Sequence, residues 1–152
     1  MQRGFTLLEI LVVLGIAAVM LGVSGPYAQK MYQTMQYHGA VKDVMTVLIA
    51  GRYEAISHSE SVDVRFDPQA RTVNVGSKKI QLPENIQLSA ATAREYNRLY
   101  DGNLAVVRFF ADGSSSGGSI SLVRESGAGV QLTVDWLLGS VSQAKLAENS
   151  AL

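Results

Sequence analysis

One long uncharged segment near the start of the chain limits what this protein can be. No side chain in residues 10–23 carries a charge, and residues 5–9 extend the apolar run in the N-terminal direction. The run is about 19 residues long, and a helix of that length rises nearly 30 Å, the thickness of a bilayer hydrocarbon core. The segment therefore predicts a membrane helix.

Glu9 is the one acidic residue in this apolar segment. An ionised group there costs on the order of a few kcal/mol unless it lies near an interface or finds a partner. Cleavage after Gly4 would create a partner, because the new α-amino group of Phe5 would lie about one helical turn away, in the same chain or a neighbour. The helix dipole would also favour the carboxylate. The alternative is that Glu9 simply lies at headgroup depth.

Length and charge limit the rest of the molecule. The 152 residues predict one membrane helix and one globular domain of roughly a hundred residues. The 13 basic and 13 acidic residues cancel, so no net field favours nucleic acid, and binding should depend on shape and apolar contact. The absence of cysteine excludes disulfides and thiolate catalysis.

An ordinary secretory signal is an alternative interpretation of the N-terminus. Its cleavage site would be the small residues Gly22, Val23 and Ser24, and the mature chain would start near Gly25. Glu9 within the apolar run argues against this interpretation. Arg3, the only charge in the leader, favours a cytoplasmic N-terminus.

The helical pattern continues beyond the apolar run. Pro26 removes a helical donor and predicts a kink or local melting. A helix over residues 5–57 would be roughly 80 Å long, so its second half should pack on the globular domain. The methionines and tyrosines of its apolar stripe are predicted to be core residues. The predicted stripe is Met31, Met35, Val41, Val44, Met45, Leu48, Ile49, Tyr53 and Ile56.

After His58 the hydrophobic period changes to two, which is typical of strands. The pattern predicts a hairpin over residues 62–66 and 71–75, then strands at 78–82 and 86–88. Residues 90–103 are polar and favour either a loop or a short helix. Three stronger strands are predicted at 104–110, 119–125 and 130–136. Their linkers are too short for helical crossovers, so these three strands should pair antiparallel.

Residues 137–141 predict a last strand and residues 142–152 a frayed tail. The predicted fold class is α+β, with a long N-terminal helix, membrane-spanning in its first half, packed on an antiparallel β-sheet or small β-sandwich.

The N-terminal residues Gly4-Phe5-Thr6-Leu7-Leu8-Glu9 resemble the class III signal of type IV pilins and type II secretion pseudopilins. The resemblance implies that a prepilin peptidase cuts between Gly4 and Phe5 and N-methylates Phe5. It also implies that Glu9 sets the register of helix-to-helix assembly.

A second resemblance lies in residues 109–122. The motif is an aromatic-x-Asp-Gly turn, Phe110 to Gly113, followed by Gly117-Gly118 and a strand, as in H-type minor pseudopilins and the related FimT- and FimU-type minor pilins. In physical terms, the glycines supply the positive φ angles of turns, and the side chain of Asp112 can cap its turn.

Enzyme and metal sites have weak support. Residues 113–117 match the Gly-x-Ser-x-Gly nucleophile motif around Ser115, but a strand follows instead of a helix. His38 and His58 both precede the serine and lack a paired ligand pattern. Asp63, Asp67 and Asp112 lack the spacing of a calcium loop. No catalytic residue, metal or cofactor is predicted.

Nucleic-acid binding is also weakly supported. Arginines alternate with tyrosines in residues 94–100, a pattern that can stack on bases. Glu95 and Asp101 reduce the positive charge there, and Lys145 is the only basic residue after Gly139. We therefore expect no nucleic-acid partner.

The resemblances imply four segments: a leader at 1–4, the transmembrane half of the helix at 5–25, its amphipathic half at 26–57, and a periplasmic β-rich domain at 58–152. They imply a bacterial inner-membrane protein that crosses once, with a cytoplasmic N-terminus, and joins the pseudopilus after processing. The implied function is that of a minor pseudopilin near the tip, which helps drive folded exoproteins through the outer-membrane secretin.

The implied partners are the I-, J-, K- and G-type pseudopilins, the prepilin peptidase, the assembly platform and the inner membrane; exported substrates are left open. Two alternatives remain at this stage. One is a minor type IV pilin for pilus assembly, adhesion or DNA uptake, and the other is a secreted enzyme or binding protein.

Overall fold

The computed structural model describes residues 6–97, 100 and 104–146, with the backbone alone for residues 22–28. The chain divides into two compact units, Met1–Met35 and Gln36–Leu152. Helix α1, Leu7–His58, begins in the first unit and continues into the second.

In the first unit, the backbone of α1 remains helical through residue 26. The helix therefore does not melt at Pro26, and a kink there stays a prediction. Leu7, Leu8, Leu11 and Leu21 are all more than two-thirds exposed in the isolated chain. A search of the helical residues with described side chains finds no stretch with the length and hydropathy of a membrane span.

Among its described residues, the second unit contains the rest of α1, eight strands and one short helix. In chain order, the elements after α1 are β1 Val62–Asp67, β2 Thr72–Val75, β3 Lys78–Gln81, β4 Ile86–Thr92, α2 Arg94–Asn97, β5 Ala105–Phe109, β6 Gly118–Arg124, β7 Gly129–Val134 and β8 Val141–Leu146. The strands form two four-stranded sheets of order β3-β2-β1-β5 and β4-β6-β7-β8. Every pairing is antiparallel. The predicted α+β class, with a helix packed on antiparallel sheets, is confirmed.

The helix and both sheets share one hydrophobic core. Phe66 and Phe109 come from the first sheet, Ile120 and Leu132 from the second, and Leu48 from α1; all five are fully buried. Burial of such side chains contributes roughly 1.5–3 kcal/mol each, so this shared core is what holds the sheets and the helix together.

The buried face of α1 differs in part from the predicted stripe. Val41, Val44 and Leu48 are buried as predicted, but Ile49 and Tyr53 are 53% and 73% exposed. Adjacent helical residues point about 100° apart, and the face against the sheets continues through small residues instead. The buried helical residues are Tyr37, Ala40, Val41, Val44, Val47, Leu48, Gly51 and Ala55. Met31, Met35 and Ile56 of the predicted stripe are also exposed.

The first hairpin and the strand at 78–82 are confirmed within one residue, but four other predictions about the strands and their limits are wrong. β5 pairs with β1 in the first sheet, not with β6. Residues 90–92 extend β4, and residues 137–140 form a turn between β7 and β8. Residues 142–146 belong to β8 and are not a frayed part of the tail. β8 is an edge strand whose side chains are largely exposed. Its sequence therefore has no alternating apolar pattern from which the strand could have been predicted.

Candidate assembly site

The start of α1 is capped by the hydroxyl of Thr6. The backbone N–H of Glu9 donates to Thr6 Oγ1 at 3.2 Å, and the N–H of Ile10 donates to the Thr6 carbonyl at 3.3 Å. Thr6-Leu7-Leu8-Glu9 has the Thr-x-x-Glu pattern of a capping box, in which the first side chain satisfies an unpaired donor of the first turn. This capping role of Thr6 was missed in the sequence, although the four-residue spacing carries the signal.

Glu9 lies on the exposed surface of the first turn. It borders an open groove of about 340 Å³ that Ile10, Val13 and Leu14 also line. These three side chains are themselves 48–60% exposed. An acceptor-only carboxylate therefore stands next to apolar surface that a second apolar helix could cover. Once covered, the carboxylate would need a donor or a cation from the partner.

The remaining N-terminal predictions concern Gly4 and Phe5, which lie outside the described residues. Their roles in cleavage and methylation stay predictions. So does the assembly role of Glu9, whose exposure and apolar surroundings are the observations that bear on it.

The second motif forms a tight turn after β5. Asp112 Oδ1 accepts the backbone N–H of Ser114 at 2.9 Å and its hydroxyl at 2.6 Å. These hydrogen bonds from Ser114 hold the pKa of the Asp112 carboxyl below its usual value. Gly113 has a φ of 85° and Gly117 a φ of 69°. The side-chain cap and the left-handed glycines are arranged as the sequence predicted.

Ser115, the central residue of the Gly-x-Ser-x-Gly match, is 5% exposed. Its hydroxyl donates to the carbonyl of Asp135 at 2.9 Å and accepts the N–H of Gly117 at 3.0 Å. Its own N–H donates to the carbonyl of Trp136 at 2.9 Å. The hydroxyl thus ties the turn after β5 to the turn after β7, and its hydrogen-bond partners in the described part of the chain are backbone groups.

The two tyrosines of the predicted Arg/Tyr pattern, Tyr96 and Tyr100, contact arginines from other parts of the chain. Arg108 makes a bidentate ion pair with Asp63, with both N–O distances at 2.6 Å. The hydroxyl of Tyr100 donates to the same carboxylate at 2.8 Å. The guanidinium of Arg65 lies 5.2 Å from the Tyr100 ring centroid, and that of Arg108 lies 4.9 Å from the Tyr96 centroid. These tyrosine faces are therefore covered by the protein's own arginines, while residues 98 and 101 lie outside the described part.

Burial works to raise the pKa of Asp63, but the hydrogen bonds from Arg108 and Tyr100 and the charges of Arg108 and Arg65 outweigh it. The pKa of the carboxyl is lowered as a result. The hydrogen bond to Asp63 likewise raises the pKa of Tyr100. The network is arranged to keep Asp63 ionised, which is the behaviour of a structural ion pair.

The other residues considered as metal ligands do not form a common site in the described part of the chain. Asp67 accepts the N–H groups of Gln69 and Ala70 in the turn between β1 and β2. His58 Nδ1 lies 3.1 Å from the Glu54 carbonyl at the end of α1, and His38 is exposed. Among the described residues, no group of three or more His, Cys, Asp or Glu is placed to hold a metal ion.

Comparison with known proteins supports the identification of the N-terminal motif. Residues 1–25 match the family model of the prokaryotic N-terminal methylation motif. Over 145 residues the chain is 28% identical to the type II secretion system protein H of Xanthomonas campestris pv. campestris; the match covers 95% of this chain and 84% of that protein.

The fold is similar to that of the minor pseudopilin EpsH from the type II secretion system of Vibrio cholerae. The TM-score is 0.58 at 13% identity, over 72% of this chain and 97% of that one. The chain has a pseudopilin fold. It is also similar to the type IV minor pilin FimU of Pseudomonas aeruginosa, with a TM-score of 0.56 at 11% identity over 78% of this chain and 93% of that one.

The predicted resemblance to type IV pilins and pseudopilins, nearest to the H-type, is confirmed by these comparisons. The two motifs lie in different units of the chain. The motif at the N-terminus belongs to the first unit, and the Asp112 turn belongs to the two-sheet unit.

Proposed function

We propose that this protein is the H-type minor pseudopilin of a type II secretion system. The observation that carries the proposal is the similarity to type II secretion system protein H along 95% of the chain. The methylation motif at residues 1–25 and the helix-plus-two-sheet fold agree with it. The subunit would lie near the tip of the periplasmic pseudopilus and help drive folded exoproteins through the secretin.

Processing and anchoring follow from this proposal. A prepilin peptidase would cut between Gly4 and Phe5 and methylate the new N-terminus. The apolar residues that follow would hold the subunit in the inner membrane before assembly, with the two-sheet unit in the periplasm. Residues 1–4, 5–25, 26–57 and 58–152 remain the proposed segments, and Pro26 the proposed kink.

Glu9 would direct assembly. Its carboxylate borders the apolar surface of Ile10, Val13 and Leu14, which a neighbouring helix would cover in the filament. Covering an unpaired carboxylate is strongly unfavourable, whereas an opposite charge at the right height offsets the penalty. The α-amino group of Phe5 in the neighbour would supply that charge. The correct stagger is thereby favoured and an incorrect one penalised.

The proposed activity is structural and not enzymatic. Ser115 and Asp112 stabilise turns, and the Arg/Tyr pairs lie within the fold. The proposed partners are the I-, J-, K- and G-type pseudopilins, the prepilin peptidase and the inner-membrane assembly platform. Contact with exported substrates is compatible with a position near the tip, and nucleic acid is not a proposed partner.

The similarity to FimU favours one other candidate, a minor type IV pilin. A deletion separates the two functions, because one machine exports folded proteins and the other builds a pilus. In the deletion strain we expect exoproteins to accumulate in the periplasm while twitching motility is retained, and a plasmid copy should restore export. Normal export combined with lost motility would refute the secretion function and support the pilin.

A further inference from the structure

Three consecutive apolar side chains lie exposed between β7 and β8. Trp136, Leu137 and Leu138 are 67%, 60% and 63% exposed, and we call these three residues the apolar turn. A single exposed leucine needs no explanation, but a contiguous apolar patch on a soluble unit marks an interaction surface. Nothing in the proposed roles of Glu9 or the N-terminus uses this patch.

The apolar turn is rigidly held. Asp135 Oδ1 accepts the N–H groups of Leu137 and Leu138 at 2.9 and 2.7 Å. The Asp135 carbonyl accepts the N–H of Gly139 at 2.9 Å, and the Trp136 carbonyl accepts the N–H of Ser115. The backbone is thus fixed while the side chains point outward. A fixed backbone lowers the entropy lost when these side chains are buried by a partner.

The apolar turn lies close to the C-terminal end of α1. Gly139 packs against Gly113 and the side chain of Arg52, and Arg52 Nε donates to the Gly113 carbonyl at 3.1 Å. Ile56, which is 44% exposed, is next to Gly113. Helix α1 enters this unit at Gln36, so the apolar turn lies beside the last turns of the helix, away from its entry.

The area and the charge of the apolar turn limit the kind of partner that can bind it. The exposed parts of three such side chains amount to a few hundred Å², below the roughly 800 Å² per partner of an interface that is stable alone. The turn therefore suits a partner already held in place by other contacts, as in a filament. It carries no charged side chain between Asp135 and Gly139, so the matching surface should be apolar.

We infer that the apolar turn is a contact for a neighbouring pilin-like subunit in the pseudopilus. The inference rests on the proposed function, since a filament supplies the other contacts that would hold the neighbouring subunit against this small surface. Trp136 is the expected anchor, because tryptophan is enriched among the residues that dominate interface energies.

Site-specific crosslinking tests the identity of the partner. The chain has no cysteine, so Leu137→Cys in the full-length protein can carry a single maleimide-benzophenone probe in assembled pseudopili. We expect an adduct with another pilin-like subunit of the same system, identified by mass spectrometry. Gln87→Cys, exposed at the opposite end of the second sheet, is the control and should give less of that adduct. An adduct chiefly with an exported protein, or equal adducts from both sites, would overturn the inference.

A charge insertion tests the role of the contact. Leu138→Glu should lower exoprotein export about tenfold, while processing, protein level and the thermal midpoint stay near wild type because the side chain is exposed. Gln87→Glu should export normally. Normal export by Leu138→Glu, in a system where the deletion abolishes export, overturns this inference alone. If the deletion leaves export unchanged, the proposed function fails instead.

Discussion

Glu9 has one position in the fold and one proposed role in assembly, and a single substitution can separate the two. Within its own chain, it occupies the last position of the capping box that Thr6 begins. Between chains, it is the proposed partner of the Phe5 amine. Glutamine also serves at this capping position, but it has no charge, so only the second role depends on ionisation.

We therefore expect Glu9→Gln to be cut normally by the peptidase and to fail in assembly. Loss of the negative charge removes the attraction between subunits without disturbing the start of α1. Gel mobility with and without the peptidase reports cleavage, and exoprotein export reports assembly.

Thr6→Ala is the matched variant, because it removes the cap and keeps the charge. It should weaken the helix start by about 1 kcal/mol and retain most export. Wild-type export by Glu9→Gln would show that assembly does not need the negative charge of Glu9.

Asp63 makes stability depend on pH. Its pKa is lower in the folded protein than its ordinary value of 3.8, so its contribution is present above that value and lost as pH falls through the folded pKa. Asp63→Asn should lower the unfolding free energy by about 1–3 kcal/mol at pH 7, since the pair with Arg108 is only partly buried.

Urea unfolding of the full chain in detergent at pH 7 and pH 3 measures this effect. The difference between wild type and Asp63→Asn should shrink at the lower pH. Asp43→Asn, at an exposed helical position, is the control and should change stability little. An equal loss at both pH values would contradict an ionic contribution from Asp63.

At the scale of the helix, two glycines of α1 have opposite requirements. A Cβ on Gly39 would meet no atom within 4 Å, whereas a Cβ on Gly51 would lie 2.9 Å from Cγ2 of the fully buried Val64. Gly39→Ala should therefore stabilise the protein by about 0.5–1 kcal/mol through helix propensity. Gly51→Ala should destabilise it by about 1–3 kcal/mol through overpacking against β1.

Thermal unfolding followed by circular dichroism compares the two variants directly, and each serves as the control for the other. The same sign of change in both would mean that helix propensity, and not the close approach of α1 to β1, decides the outcome at Gly51.

The same close approach explains what the sequence analysis of α1 missed. Apolar periodicity predicted burial correctly at Val44 and Leu48, but its three- and four-residue spacing also included Ile49 and Tyr53, which are exposed. The sheet instead packs on Ala40, Gly51 and neighbouring positions, where small size permits contact. A hydrophobicity pattern does not distinguish a small buried residue from a small exposed one.

Strand pairing was predictable only where turns are local. The β1–β2 hairpin follows from its alternation and its short turn, which Asp67 caps. The transfer of the chain from β5 to the other sheet depends on Gly117 and Gly118, whose positive φ angles redirect the backbone. β8 is held by pairing with β7 and not by burial, so its sequence lacks the usual signal.

The residues of the N-terminal motif could be predicted from the sequence, whereas the exposed apolar surface at residues 136–138 could not. Gly4, Phe5 and Glu9 stand in a short contiguous pattern whose chemistry can be inferred residue by residue. Residues 136–138 of the apolar turn were all predicted to lie in strands, at 130–136 and 137–141. Their actual arrangement depends on contacts of Ser115, Arg52 and Gly139 with other segments. Contacts between segments that are distant in the chain produce no recognisable pattern in the sequence.

At the scale of the whole molecule, the two units serve separate parts of the proposed function. The first unit carries Glu9 and the apolar surface beside it, which would determine how a subunit is inserted. The second unit holds a single core that supports the rigid apolar turn, which would determine what the subunit meets. The net charge of zero agrees with contacts made through apolar surface.

The proposed roles of Glu9 and of the apolar turn both require that the chain is a processed pilin-like subunit. Intact-mass and tandem mass spectrometry of the mature protein, isolated from membranes of its own host, tests this directly, and Gly4→Leu provides the uncut reference. We expect a chain that begins at Phe5 and carries one methyl group on its α-amino nitrogen. A mature chain that begins near Gly25, or an unmethylated chain that retains residues 1–4, would contradict it.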